Sequence, residues 1–265
     1  MKAFLYKPMN AFLRYEDFPG SEPTYVFLAG VAGASTATFP RIVRNISLAK
    51  HRAIMPDWLG CGFSDHPETF GYTMNDHADT IAQLLDDLHI TSCNLIGYSM
   101  GGAVAVTLAT QRPDLIKRLI LVEGNLDAGG GFFSQSVAEV TEDEFVNHKY
   151  PKVIQDWRSE GQSGNRVTAA LVGHLQVAEP HAVHRCCVSL VQGAQPSWRD
   201  QLYQLTIPRA FVFGEYSLPD PDFEVLPEHG IKVAIVPQAG HGMAWENPDG
   251  FAEVVSALAN DKSTV

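Results

Sequence analysis

The stretch that most constrains this chain is Asn94-Leu95-Ile96-Gly97-Tyr98-Ser99-Met100-Gly101-Gly102, followed by the small-residue segment Ala103 to Ala109. An apolar run enters a Gly-x-Ser-x-Gly turn and a helix-forming segment leaves it, so the pattern predicts a strand, a sharp turn and a helix with Ser99 at the tip. A serine hydroxyl is a poor nucleophile until a base takes its proton, and such a turn holds it out where a histidine can reach it. Side chains at Gly97 and Gly101 would collide with the flanking strand and helix. The helix also points the positive end of its dipole at any oxyanion formed beside Ser99.

A membrane helix is the competing reading, because Ile90 to Gln111 is uncharged and Gly97 with Gly101 fits small-xxx-small spacing. An acidic amphipathic segment just before this span, and the Gly101-Gly102 pair inside it, favour strand, turn and helix. At 265 residues, 45% apolar and 18% charged, the chain has the composition of a soluble globular protein long enough to bury a substantial core. Its net charge of −11 argues against nucleic acid and anionic membrane as partners. The segment Met1 to Pro8 lacks the apolar run of a signal peptide, and Cys61, Cys93, Cys186 and Cys187 show no disulfide-framework spacing. A cytoplasmic location is therefore expected.

Short strands are predicted at Ala3 to Tyr6 and Ala11 to Phe18, and strands buried on both faces at Tyr25 to Ala29, His51 to Pro56 and Leu119 to Val122. Between them, Ile81, Leu84, Leu85 and Leu88 recur at helical spacing behind a Thr73/Asp76 cap. From Leu126 to about Gln204 the pattern turns helical, with segments such as Glu139 to Trp157 and Ala169 to Val177 and nothing that fits a main-sheet strand. Strands resume at Arg209 to Gly214 and Lys232 to Val236, and a last helix starts after Asn247. The class is α/β, a mostly parallel sheet with helices on both faces. The expected organisation is a core from 1–125 and 205–265 interrupted by a helical cap insertion at 126–204.

Four segments in this order carry a resemblance: Gly30-Val31-Ala32-Gly33, Asp57-Trp58-Leu59-Gly60-Cys61-Gly62-Phe63-Ser64-Asp65, the Gly97 to Gly102 turn, and Gly240-His241-Gly242-Met243. The chain resembles an α/β-hydrolase of the cap-bearing, serine-nucleophile kind over nearly its whole length. The resemblance implies that Ser99 is the nucleophile and that His241, after the last strand, is its base. Relatives usually carry the acid three residues past a glycine like Gly214, but here that position is Ser217, which cannot stabilise an imidazolium by charge. Three replacements are available, of which Glu123 is the expected one, as in relatives that take the acid from the end of the sixth strand, with Asp220 and Glu215 as alternatives.

By the same resemblance the backbone N–H groups of Val31 and Met100 form the oxyanion hole, although Ala29-Gly30 stands where many relatives have His-Gly with a side chain that braces the loop. Asp57, Ser64 and Asp65 read as structural. Phe132, Phe133, Trp157, His174, Leu175 and Trp198 are candidate pocket residues, since apolar and aromatic groups line small-molecule sites. His181, His184, Cys186 and Cys187 offer metal-ligand types, but no second ligand pair stands at zinc spacing, so neither metal nor cofactor is expected.

The expected activity is hydrolysis of a small ester or lactone through an acyl-enzyme. A carbon–carbon bond hydrolase, a thioesterase or acyltransferase, and a non-catalytic binding module on the same fold remain alternatives.

Overall fold

In the computed structural model, which describes residues 1–261, the alternating apolar stretches pair into an eight-stranded sheet of spatial order β1-β2-β4-β3-β5-β6-β7-β8. The strands are β1 (Lys2–Tyr6), β2 (Ala11–Phe18), β3 (Ser21–Leu28), β4 (His51–Pro56), β5 (Cys93–Tyr98), β6 (Ile116–Val122), β7 (Arg209–Gly214) and β8 (Lys232–Val236). Only β1 with β2 and β2 with β4 run antiparallel; the other pairs are parallel. The switch in strand order places β3, β5 and β6 side by side at the centre, where the carboxyl ends of parallel strands open a crevice.

Successive residues of the central strands point to opposite faces, and both faces are covered. Val26, Leu28, Leu95, Leu119 and Leu121 pack into one core with the helices α1 (Met74–Asp87) and α2 (Met100–Gln111). Tyr25, Phe27, Ile96, Ile120 and Val212 pack into the other, closed by Phe251, Val255 and Leu258 of the terminal helix Pro248–Asn260. The Thr73/Asp76 capping box that starts α1 forms in full. The uncharged span from Ile90 to Gln111 is divided between β5 and α2, and among the described residues no helix is long and apolar enough to cross a membrane.

Residues 126–204 contribute helices: α3 (Phe132–Ala138), α4 (Tyr150–Gln162), α5 (Arg166–Leu175), α6 (Pro180–Gln192) and α7 (Trp198–Gln204). Among the described residues their one β-pairing is an isolated bridge between Cys61 and Ala178. After β7 come α8 (Asp222–Glu228) and, past β8, α9 (Pro248–Asn260).

Three boundaries differ from the sequence pattern. β3 begins at Ser21, upstream of its apolar run, because Ser21 pairs with His51. β6 likewise begins at Ile116, which pairs with Cys93. The expected helix from Glu139 starts instead at Glu142, since the Thr141 hydroxyl accepts the Glu144 N–H and caps it.

The Asp57 to Asp65 loop ties the amino-terminal hairpin to the sheet. Asp57 accepts hydrogen bonds from the Thr36 N–H and hydroxyl and from the Phe63 N–H, Ser64 accepts from the Arg14 N–H, and Asp65 accepts from the Phe12 N–H. The side chains of the His181 to Cys187 stretch are likewise used within the fold: His184 Nε2 donates to the Val140 carbonyl at 2.9 Å, and His181 pairs with Glu179.

Candidate active site

Ser99 sits between β5 and α2 with φ 54° and ψ −121°, a strained left-handed conformation for a residue with a side chain. The turn closes because its glycines admit neighbouring backbone. A Cβ on Gly97 would lie 2.4 Å from the Gly101 carbonyl oxygen, and one on Gly101 would lie 2.4 Å from that of Leu28. Backbone bonds from Ser99 N–H to the Val122 carbonyl and from Gly102 N–H to the Ser99 carbonyl fix the tip.

Glu123 follows β6 with φ 43°, its N–H still bonded to the Val212 carbonyl. That kink turns its carboxylate from the strand direction toward the loop after β8. The close approach of Gly102 to Gly124, whose Cα would stand 2.6 Å from a Cβ on Gly102, lets β6 end this near the start of α2. The carboxylate is held on both sides: Oε1 accepts the Gly214 N–H at 2.8 Å, and Oε2 lies 2.7 Å from His241 Nδ1.

On the far side of the ring, His241 Nε2 lies 3.2 Å from Ser99 Oγ. A carboxylate at Nδ1 places the ring proton there and leaves the Nε2 lone pair to accept the serine hydroxyl proton. Tyr98 steadies the ring, stacking on it at 5.5 Å between centroids and donating its hydroxyl to the His241 carbonyl. Gly214 admits the same loop, since a Cβ there would lie 2.6 Å from the Ala239 and Gly240 carbonyl oxygens. The His241 side chain is 58% exposed and that of Glu123 only 11%, so the ring is open to solvent while the acid behind it is largely shielded.

Burial acts to raise the Glu123 pKa, but hydrogen bonding by His241, Ser217 and the Gly214 N–H outweighs it and holds the carboxyl below its ordinary value. Ser217, at the position where the resemblance puts the acid, thus supports a carboxylate that arrives from β6.

Met100 is the first residue of α2, so its N–H has no partner within the helix. Across from it, the Gly33 N–H bonds to the Gly30 carbonyl at 3.0 Å and makes a turn with Val31 and Ala32 at its corners and Ala32 at φ 57°. The turn's own bond leaves the Val31 N–H unused. Val31 and Ser99 line the same cavity, and a Cβ on Gly30 would lie 3.2 Å from that of Ser99.

That cavity holds about 630 Å³. Of the pocket residues read from the sequence, Phe132, Phe133, Trp157, His174 and Leu175 line it. Trp198 does not: it is buried, and its Nε1 donates to Thr107 Oγ1 at 3.1 Å, so α7 uses it to pack on α2. Asp220 lines the cavity, but its Oδ1 accepts the Asp222 N–H, and among the described residues it makes no hydrogen bond to His241. Glu215 instead accepts the Gln238 N–H at the turn after β8. Tyr98, Phe211, Phe213 and Trp245 line the cavity as well, beyond the residues expected from the sequence. A signal was available for Tyr98, the last residue of β5, and for Phe213, near the carboxyl end of β7, whereas Phe211 lies in the middle of β7.

The chain belongs to the α/β-hydrolase family: the family model described as alpha/beta hydrolase fold matches residues 23–222. The putative carbamate hydrolase RutD of Serratia proteamaculans (strain 568) is 36% identical over 103 residues, so the match spans 38% of this chain and 38% of that relative. Among solved structures, a bromoperoxidase from Bacillus anthracis superposes with TM-score 0.80 at 18% identity, covering 98% of this chain and 99% of its own. A thermophilic esterase from Thermogutta terrifontis, with malate bound, superposes with TM-score 0.79 at 22% identity and covers 98% of both chains. At such identities the superpositions speak for the fold.

Proposed function

We propose that the chain is a serine hydrolase acting on a small ester or lactone through Ser99, His241 and Glu123. The observation that carries this reading is the single imidazole spanning Ser99 Oγ on one side and Glu123 Oε2 on the other. His241 takes the hydroxyl proton as Ser99 Oγ adds to the carbonyl carbon, and the oxyanion formed sits between the N–H groups of Val31 and Met100. His241 then passes the proton to the leaving alkoxide, leaving an acyl-Ser99. A water molecule that gives its proton to the same nitrogen releases the acid and returns the serine. Glu123 holds the ring in the Nδ1–H tautomer and stabilises its charged form.

Residues 126–204 serve as a cap over a core made of 1–125 and 205–265. Phe133, Trp157, Val167, Leu171 and Leu175 come from this segment and face the cavity, which supports its role in selecting the acyl or alcohol part. The largely apolar walls favour an uncharged small molecule.

Short-chain p-nitrophenyl esters and a fluorophosphonate label followed by mass spectrometry test the reading. Turnover by wild type, labelling at Ser99 and loss of both in Ser99→Ala are expected. A wild type that binds esters saturably without turnover or labelling would make the chain a binding module instead.

A further inference from the structure

The loop that carries the Val31 N–H is pinned from two sides. At its start the core holds it: the Ala29 N–H donates to Ser35 Oγ at 3.1 Å, and Trp58 Nε1 donates to the Ala29 carbonyl at 3.2 Å. At its end the partner comes from the cap. His174 on α5 is buried at 6% exposure, and its Nδ1 accepts the Ala34 N–H at 3.2 Å.

The other ring nitrogen defines the proton. His174 Nε2 lies 3.4 Å from Thr38 Oγ1, and the Thr38 hydroxyl donates to the Ala34 carbonyl at 2.9 Å. With the hydroxyl proton directed there, Thr38 Oγ1 accepts from Nε2–H, while a backbone N–H at Nδ1 requires a lone pair. The ring is therefore neutral, with its one proton on Nε2, and it grips both ends of a single helical turn. Trp245, in the turn after His241, packs against the same ring at 5.8 Å.

We propose that His174 is a positioning residue that latches the cap to the oxyanion loop, so that the Val31 N–H is aimed only while α5 is seated. The proposal rests on the serine-hydrolase reading. It accounts for Ala29 at the position where many relatives carry a bracing histidine: the brace comes from the cap, onto Ala34, rather than from the loop itself. A pocket wall alone would need only shape at position 174, whereas the latch needs an acceptor at the Nδ1 position.

Two near-isosteres separate these demands. In His174→Asn the amide oxygen falls near Nδ1 and can accept the Ala34 N–H; in His174→Gln the amide falls near Nε2 and leaves that N–H without an acceptor. His174→Ala removes both contacts. Each is compared with wild type for kcat and KM on p-nitrophenyl butyrate. Affinity is also measured for a trifluoromethyl ketone, which forms a hemiketal oxyanion with Ser99, against the matching methyl ketone as ground-state ligand.

The expected result is a fall in kcat of about ten- to a hundred-fold for Ala and Gln. Trifluoromethyl ketone affinity falls in step, methyl ketone affinity and KM stay within about two-fold, and Asn keeps most of the wild-type kcat. Gln stands in should Ala fail to fold. Wild-type affinity for the trifluoromethyl ketone in Gln or Ala, or an effect confined to KM, overturns the latch while leaving the hydrolase reading intact. A wild type that forms no hemiketal and takes no label at Ser99 overturns the hydrolase reading and the latch with it.

Discussion

His241 Nδ1 and Glu123 Oε2 stand 2.7 Å apart although 118 residues separate them in the chain. The contact joins the end of β6 to the loop after β8, across the width of β7. It exists because Glu123 adopts φ 43° and because Gly214, in ordinary extended geometry, has no side chain to keep the loop after β8 away. Glu123→Gln keeps the shape and removes the charge. By analogy with triad acids elsewhere, kcat is expected to fall by about three to four powers of ten, with KM little changed. Asp220→Asn is expected to stay within about three-fold of wild type, because its carboxylate bonds to the Asp222 N–H. Equal losses in the two variants would refute the assignment of the acid.

Ser217 tests the same geometry from the other strand. Its hydroxyl favours the charged form of Glu123, so a carboxylate at 217 would reach the neighbourhood of the ring. Ser217→Asp alone sets two carboxylates together and is expected to raise the pH at which activity appears. Placed in the Glu123→Gln background, the same change is expected to restore about ten-fold or more of the lost kcat. No recovery in the double variant would mean that the β7 loop no longer points an acid at His241.

Much of this site was legible because its demands are local. Gly97, Ser99 and Gly101 encode a turn that few other sequences make, and Gly240-His241-Gly242 marks an open loop. Glu123 was readable as a partner for His241 because Ser217 lacks a charge and Gly124 supplies a turn, and the two side chains do meet. Trp198 was misplaced for a physical reason: a helix covering a sheet has aromatic residues toward both the cavity and the core, and sequence spacing does not say which. Its indole N–H found Thr107, on a helix 91 residues earlier. The bond between His174 and Ala34 spans 140 residues and leaves no local pattern at all.

The two turn glycines have different neighbours from those of Gly131, and substitution is expected to show it. A Cβ at 101 would meet the Leu28 and Ala29 carbonyl oxygens at 2.4 and 2.7 Å, both backbone atoms that move only with β3. Gly101→Ala is expected to cost about 3 kcal/mol of stability, together with activity, since β3 carries the Val31 loop. Gly131→Ala meets nothing within 4 Å and is expected to change stability by less than about 0.5 kcal/mol. Urea unfolding of the three proteins measures both values, and a Gly101→Ala variant as stable as wild type would contradict the packing of the turn.

Acid sensitivity follows from two buried rings. Burial lowers the pKa of both His77 and His174 from 6.5 to about 4. As pH falls below 6.5 the unfolded chain protonates these histidines while the folded chain does not, so the unfolded state binds more protons and stability drops. The loss runs from about pH 6.5 to about pH 4 and approaches 3 kcal/mol per ring at its limit, on the order of two and a half pH units of linkage. Protonating His174 also takes away the lone pair that accepts the Ala34 N–H, so the fold and the Gly30 to Ala34 loop weaken together. Denaturation midpoints between pH 8 and pH 4 are expected to fall steeply for wild type and less steeply for His174→Asn, which has no proton to gain. Identical pH slopes for the two proteins would show that the buried ring at 174 does not resist protonation.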